Sequence, residues 1–132
     1  MTLDDLIALC PDEQFAKAKH THLTNIRGRL IQGKRAITAN ARRWVNGKWH
    51  PYHPVEIRSF SKDGLLSEDD VKVYCDCGFN VYWGQEYWLT KEDAADIRYS
   101  DGSRPDIRNP KGTIMLCHHI LRLATLVKKK GL

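Results

Sequence analysis

Two short clusters constrain this chain more than any other feature: Cys75-Asp76-Cys77 and Cys117-His118-His119, with 39 residues between Cys77 and Cys117. Side chains of an extended strand repeat every second residue. A strand from Val71 to Trp83 therefore puts Val71, Val73, Cys75, Cys77, Phe79, Val81 and Trp83 on one face, with two sulfurs side by side. Gly78 can relax the chain just after them and let both sulfurs turn toward one ion. Cys117 opens the last amphipathic segment. Helical positions two apart point to different sides, so the expected arrangement keeps Cys117 in the non-helical cap and His119 in the first turn. Two thiolates from a strand plus one thiolate and one imidazole from a helix start make a Cys3His set, the closed tetrahedral field of structural zinc. His118 is the alternative nitrogen ligand, and ligand type alone does not separate zinc from iron. The competing readings are core cysteines and a disulfide. Cys10, beside Pro11 and far along the chain from both clusters, fits a core thiol. A Cys75–Cys77 disulfide would strain the backbone.

The rest of the chain supplies one domain of 132 residues, 42% hydrophobic, large enough to bury a core without disulfide stapling. Thr2 caps a predicted helix over 3–9, and a second short helix is expected over 11–19, making residues 1–26 an N-terminal helical segment. From Arg27 the pattern turns to strands. Runs 36–45 and 48–60 flank Asn46-Gly47, the dipeptide that most readily supplies a type I′ hairpin, with Trp44 and Trp49 on opposite arms. Lys62-Asp63-Gly64 signals another turn before the run that starts at Val71. Thr90 is an expected cap for a helix over 90–97, and residues 100–112, dense in Gly, Pro, Asn and Asp, form a loop. The clearest helical pattern is 116–130, where Ile120, Leu123, Ala124 and Val127 share a face and Gly131 ends the run. The expected class is α+β: an antiparallel β-meander over 27–132 whose C-terminal helix is clamped by the Cys3His zinc site.

The pattern Cys75-x-Cys77 on a strand followed by Cys117-x-His119 at a helix start resembles the SWIM-type zinc-binding domain, over residues 71–127. That resemblance implies Cys75, Cys77, Cys117 and His119 as the ligands of a structural Zn2+, in a family associated with DNA or protein binding. The spacer is longer than the family's usual one. The context Ala94-Ala-Asp-Ile-Arg-Tyr-Ser-Asp-Gly102, Asn109-Pro-Lys-Gly112 and Cys117-His-His-Ile-Leu121 looks like a long-spacer version found among small structural proteins of tailed bacteriophages. This second likeness implies a minor virion or assembly component, assembled in the host cytoplasm, whose partners are other phage structural proteins.

Charge adds an alternative. Residues 14–55 contain no acid, whereas Arg27, Arg29, Lys34, Arg35, Arg42, Arg43 and Lys48 all fall within 27–48. This basic segment either pairs with the acids of 56–106 or forms a surface for DNA, with phosphates on the cations and bases stacked on Trp44 or Trp49. Lys128 to Lys130 are explained by the helix C-terminus. Trp83 is expected in the core, while Tyr87 and Trp88 are open between core and interface. His20, His22, His50 and His53 are expected at the surface or at strand edges rather than as ligands. Catalysis is not expected, because four protein ligands leave zinc no place for water and no deaminase, His-Glu-x-x-His, phosphate-loop or nucleophile-elbow motif is present. Neither a membrane segment nor a secretory signal is expected, nor a small-molecule substrate, and a reducing compartment follows as the expected setting for the thiols.

Overall fold

Helix formation starts at Thr2 in a computed structural model that describes residues 1–132. Thr2 and Asp5 form a reciprocal capping box: the Asp5 amide donates to Thr2 Oγ1 at 3.2 Å and the Thr2 amide donates to Asp5 Oδ2 at 3.0 Å. The capped helix, α1 (Leu3–Ala8), buries Leu3 and Leu6. Pro11 then starts α2 (Asp12–Lys19), which turns Gln14 and Ala18 inward. The helical segment stops there, not at residue 26. Thr21 already belongs to strand β1 (Thr21–Ile31), because Thr21 and Leu23 alternate onto the core side while Arg122 Nε takes the Thr21 carbonyl.

The other strands are β2 (Lys34–Val45), β3 (Lys48–Trp49), β4 (His53–Ser59) and β5 (Val71–Cys75). They form an antiparallel sheet in the order β1-β2-β4-β5, with β3 paired to the far end of β2. Asn46 (φ 51°) and Gly47 (φ 79°) make the expected turn, and Trp44 pairs with Trp49 across it. A second such turn joins β1 to β2 through Gln32 (φ 52°) and Gly33 (φ 72°). The predicted arm 48–60 is broken at 50–52, where Pro51 cannot donate to the ladder, and β4 rejoins β2 one residue out of step with β3.

Alternation gives the sheet two different faces. Ile37, Ala39, Ala41, Val55, Ile57, Val71, Val73 and Cys75 lie against the helices and form one core with Leu121, Leu123 and Val127. The opposite face carries Arg42, Asn40 and Thr38 from β2, Glu56 and Arg58 from β4, and Tyr74 from β5. Along the outer edge of β5 the ladder groups find partners: Val71 N donates to Met1 O, Val73 N to Ala94 O, and Asn80 Nδ2 to Cys75 O.

Extended pairing ends at Cys75, which corrects the strand expected to run to Trp83. Cys77 instead starts the short helix α3 (Gly78–Val81), so Phe79, Val81 and Trp83 leave the cysteine face. Trp83 is exposed and stacks on Phe79 at 6.2 Å. The next helix, α4 (Gln85–Lys91), begins at Gly84 and ends near the expected start of a helix at Thr90. Gly84 has φ 78°, and a Cβ there would collide with the Pro105 ring. Thr90 lies in the last turn, its hydroxyl donating to Tyr87 O, and Asp93 (φ 53°) turns the chain away. Residues 100–112 contain no helix or strand, as expected. The last helix, α5 (His118–Lys130), buries Ile120, Leu123, Ala124 and Val127 and is ended by Gly131 in the left-handed conformation. No helix is long and apolar enough to cross a membrane. The architecture is α+β.

Candidate metal centre

Three breaks in regular structure bring the Cys/His pairs together. Cys75 is the last residue of β5, Cys77 is the extended residue before α3, and Cys117 is the extended residue before α5 (φ −64°, ψ 158°). Cys117 Sγ accepts from the Ile120 amide at 3.4 Å, so the sulfur caps the helix and His119 falls within its first turn. The ligand atoms of Cys75, Cys77, Cys117 and His119 all lie within 4.8 Å of one another, and all four residues are buried. Cys75 Sγ stands 3.8 Å from His119 Nδ1. Tetrahedral zinc, with Zn–S of about 2.3 Å and Zn–N of about 2.0 Å, requires ligand–ligand separations of about 3.5–4 Å. With one pair already at 3.8 Å and all four donors within 4.8 Å, a small inward shift reaches those separations, and the cluster can hold a metal ion. His119 is the grouped imidazole; His118, half-buried beside it with ring centroids 4.1 Å apart, is not among the four.

Packing three thiols together fixes how they share protons. Burial pushes the Cys75 and Cys117 thiols well above the ordinary cysteine range. Hydrogen bonds donated by the Cys117 and Cys75 thiols pull Cys77 far below it. A bound cation would supply the charge that lets the buried thiols ionise. Burial, with His119 acting in the same direction, holds His118 down to about 3.

His53 begins β4, half-buried and outside the four donors, in keeping with its reading as a surface or strand-edge residue. It stands 4.9 Å from the His119 ring, and its Nδ1 makes a 2.7 Å contact with Oδ1 of Asp76, the residue between the two cysteines. Pairing of Val55 with Cys75 brings His53 level with Cys77 across the β4–β5 ladder. Only the strand register could have revealed this neighbour.

The long spacer is tied down by polar anchors in α4. Gln85 Nε2 donates to Thr113 O, while its Oε1 accepts from the Met115 amide, fixing the approach to Cys117. From α2, Gln14 Nε2 reaches Leu116 O. Trp88 Nε1 donates to Asn109 O, so Trp88 serves as loop cover, with Tyr87 packed edge-on against it at 5.0 Å. Glu86 is fully buried and accepts from the amides of Arg98, Tyr99 and Ser100 and from the Ser100 hydroxyl. Cys10 lies outside the cluster, its Sγ accepting from the Leu116 amide.

The basic residues separate by face. Arg27, Arg29 and Arg42 lie on the open face of the sheet; Arg35 and Arg43 alternate to the helix side; Lys34 and Lys48 sit at the hairpin turns. None of the seven forms a salt bridge, so of the two readings of this segment the pairing with the acids of 56–106 is not the one the structure takes. Glu56 is instead paired with Arg58 and Arg98. No family model, curated protein or solved structure matches the chain.

Proposed function

We propose that this chain is a non-enzymatic zinc-stabilised structural protein, a minor component or assembly factor of a tailed phage particle. One observation carries the zinc reading: three sulfurs and one imidazole nitrogen, all buried, gathered within 4.8 Å at the junction of β5, α3 and α5. Thiolate-rich tetrahedral sets suit zinc, and four protein donors leave no coordination position for a reacting water. A bound ion would tie the end of the sheet to the start of the last helix. It would also close the spacer anchored by Gln85 and Trp88, making metal affinity a part of folding stability.

The particle assignment is supported by the residue pattern of 71–127 and its likeness to long-spacer SWIM-type elements of small phage structural proteins. A rigid domain with aromatic side chains at its surface suits docking within a larger assembly. Mass spectrometry of gradient-purified particles from the system that encodes the gene tests this directly. The protein is expected at fixed stoichiometry in intact particles; its absence from them, with abundant free protein in the lysate, would contradict the assignment.

A further inference from the structure

On the face of the sheet turned away from the helices, cations and aromatic rings are interleaved. Arg42 Cζ lies 4.3 Å from the Trp49 ring centroid and 4.4 Å from that of Tyr52, so its guanidinium is held between two rings. Trp44 meets Trp49 edge-on at 5.0 Å, and His22 meets Trp49 at 4.6 Å. Trp44, Trp49 and Tyr52 remain 44%, 37% and 43% exposed, an unusual amount of ring surface to leave in water. Further along the face Arg29 Nε donates to Thr38 Oγ1 and Arg27 Nε to Asn25 Oδ1. All three arginines are oriented by neutral partners, and none has a carboxylate to offset its charge.

The face also has a polar recess. A cleft of about 330 Å³ opens beside Arg29, lined by Asn25, Thr38, Asn40, Arg98 and Tyr99. Asn40 lies two residues from Arg42 on the same side of β2, so recess and aromatic cluster are continuous. Glu56, the acid at this recess, is already engaged by two arginines.

We infer that the β1–β2 side of this face, beyond the part covered by Arg98 on Tyr74, binds an unpaired polynucleotide, with phosphates on Arg27, Arg29 and Arg42 and bases stacked on the exposed surfaces of the Trp44, Trp49 and Tyr52 rings. Exposed rings need splayed bases, which a duplex does not offer, and uncompensated guanidinium groups need a polyanion. The recess provides amide and hydroxyl groups for a base edge at the end of the run. The inference does not depend on the zinc assignment, because every residue it uses lies outside the Cys3His cluster.

Fluorescence titration of the full chain with dodecathymidylate, dodecauridylate and a duplex of the same length provides the test. The two single strands should bind more tightly than the duplex, and comparing them separates DNA from RNA as the better ligand. Affinity should fall steeply between about 50 and 200 mM salt. Arg27→Gln with Arg29→Gln and Arg42→Gln should flatten the salt slope by about 2, at about 0.7 per phosphate contact. Trp44→Leu, which leaves Arg42 between Trp49 and Tyr52, should weaken binding about tenfold without changing that slope. Lys19→Gln with Lys129→Gln and Lys130→Gln removes the same charge elsewhere and should leave binding nearly intact; all three are exposed. Unfolding curves of each variant verify that the fold is retained. No binding at low salt, equal binding of the duplex, or an equal loss in the lysine variant would overturn the proposal. Displacement of the oligonucleotide by polyglutamate of matched charge would overturn it in favour of an acidic protein partner.

Discussion

Cys75 and His119 are 44 positions apart in the chain, yet Cys75 Sγ lies 3.8 Å from His119 Nδ1. One residue ends a strand and the other occupies the first turn of a helix. Their proximity fixes how the sheet meets α5, and a metal ion between them would turn that packing contact into a coordinate link.

The choice between adjacent imidazoles leads to the first prediction. His119→Ala should lose the metal and lower stability by several kcal/mol, as expected on removing a ligand of a structural site. His118→Ala should retain a full complement, since His118 is not grouped with the sulfurs. Metal content of the two purified variants checks this; the opposite pattern would reassign the nitrogen ligand.

Proton release is the second. Burial raises the Cys75 and Cys117 thiols above the ordinary cysteine range, and hydrogen bonds from those two thiols lower Cys77. Binding zinc to the metal-free protein near neutral pH should therefore expel protons from the sulfurs. Apparent affinity should rise with pH, because the metal-free state carries more protons than the bound one. Calorimetric titrations in buffers of different ionisation enthalpy measure the number directly.

The 2.7 Å Asp76–His53 contact fixes a ring whose centroid stands 4.9 Å from that of His119. Asp76→Asn removes the carboxylate charge and loosens the His53 ring that packs there. Zinc affinity should drop with the far-ultraviolet spectrum unchanged, by less than the roughly 10- to 100-fold that follows loss of a direct hydrogen-bond partner of a metal ligand. Competition with a chromophoric chelator reads the change.

Glu86 provides a stability prediction away from the metal. Its carboxylate collects three backbone amides of the 98–100 segment in a fully buried position. Glu86→Gln puts an amide donor among donors and should cost about 3 kcal/mol, the expected range for charged hydrogen bonds lost in the interior. Urea unfolding of the zinc-loaded protein measures it.

The clusters themselves were legible because metal chemistry restricts residue type, and the cap role of Cys117 followed from helical geometry alone. The Asn46-Gly47 hairpin and α5 were legible for similarly local reasons. Other elements were decided by contacts distant in sequence. The chain turns into a helix after Cys77 even though the alternation of Val71 to Trp83 also fits a strand, because Asn80 takes the Cys75 carbonyl and ends the ladder. Likewise α4 is set by Gly84 against Pro105 and by Gln85 bonding to residues 113–115, so Thr90, a good cap on its own, lies inside the last turn instead. The proximity of His53 to the cluster depends on the register of β4 against β5, which no local pattern encodes.

Elemental analysis joined to thermal unfolding, before and after exhaustive chelation, tests the central claim. The structural reading predicts about one zinc per chain, lost on chelation and in Cys117→Ser, with loss of the cooperative transition. That outcome follows from the scale of the terms: zinc binding to such sites supplies about 10–16 kcal/mol, comparable with the whole net stability of a domain, about 5–15 kcal/mol. A metal-free protein with an unchanged transition would contradict it.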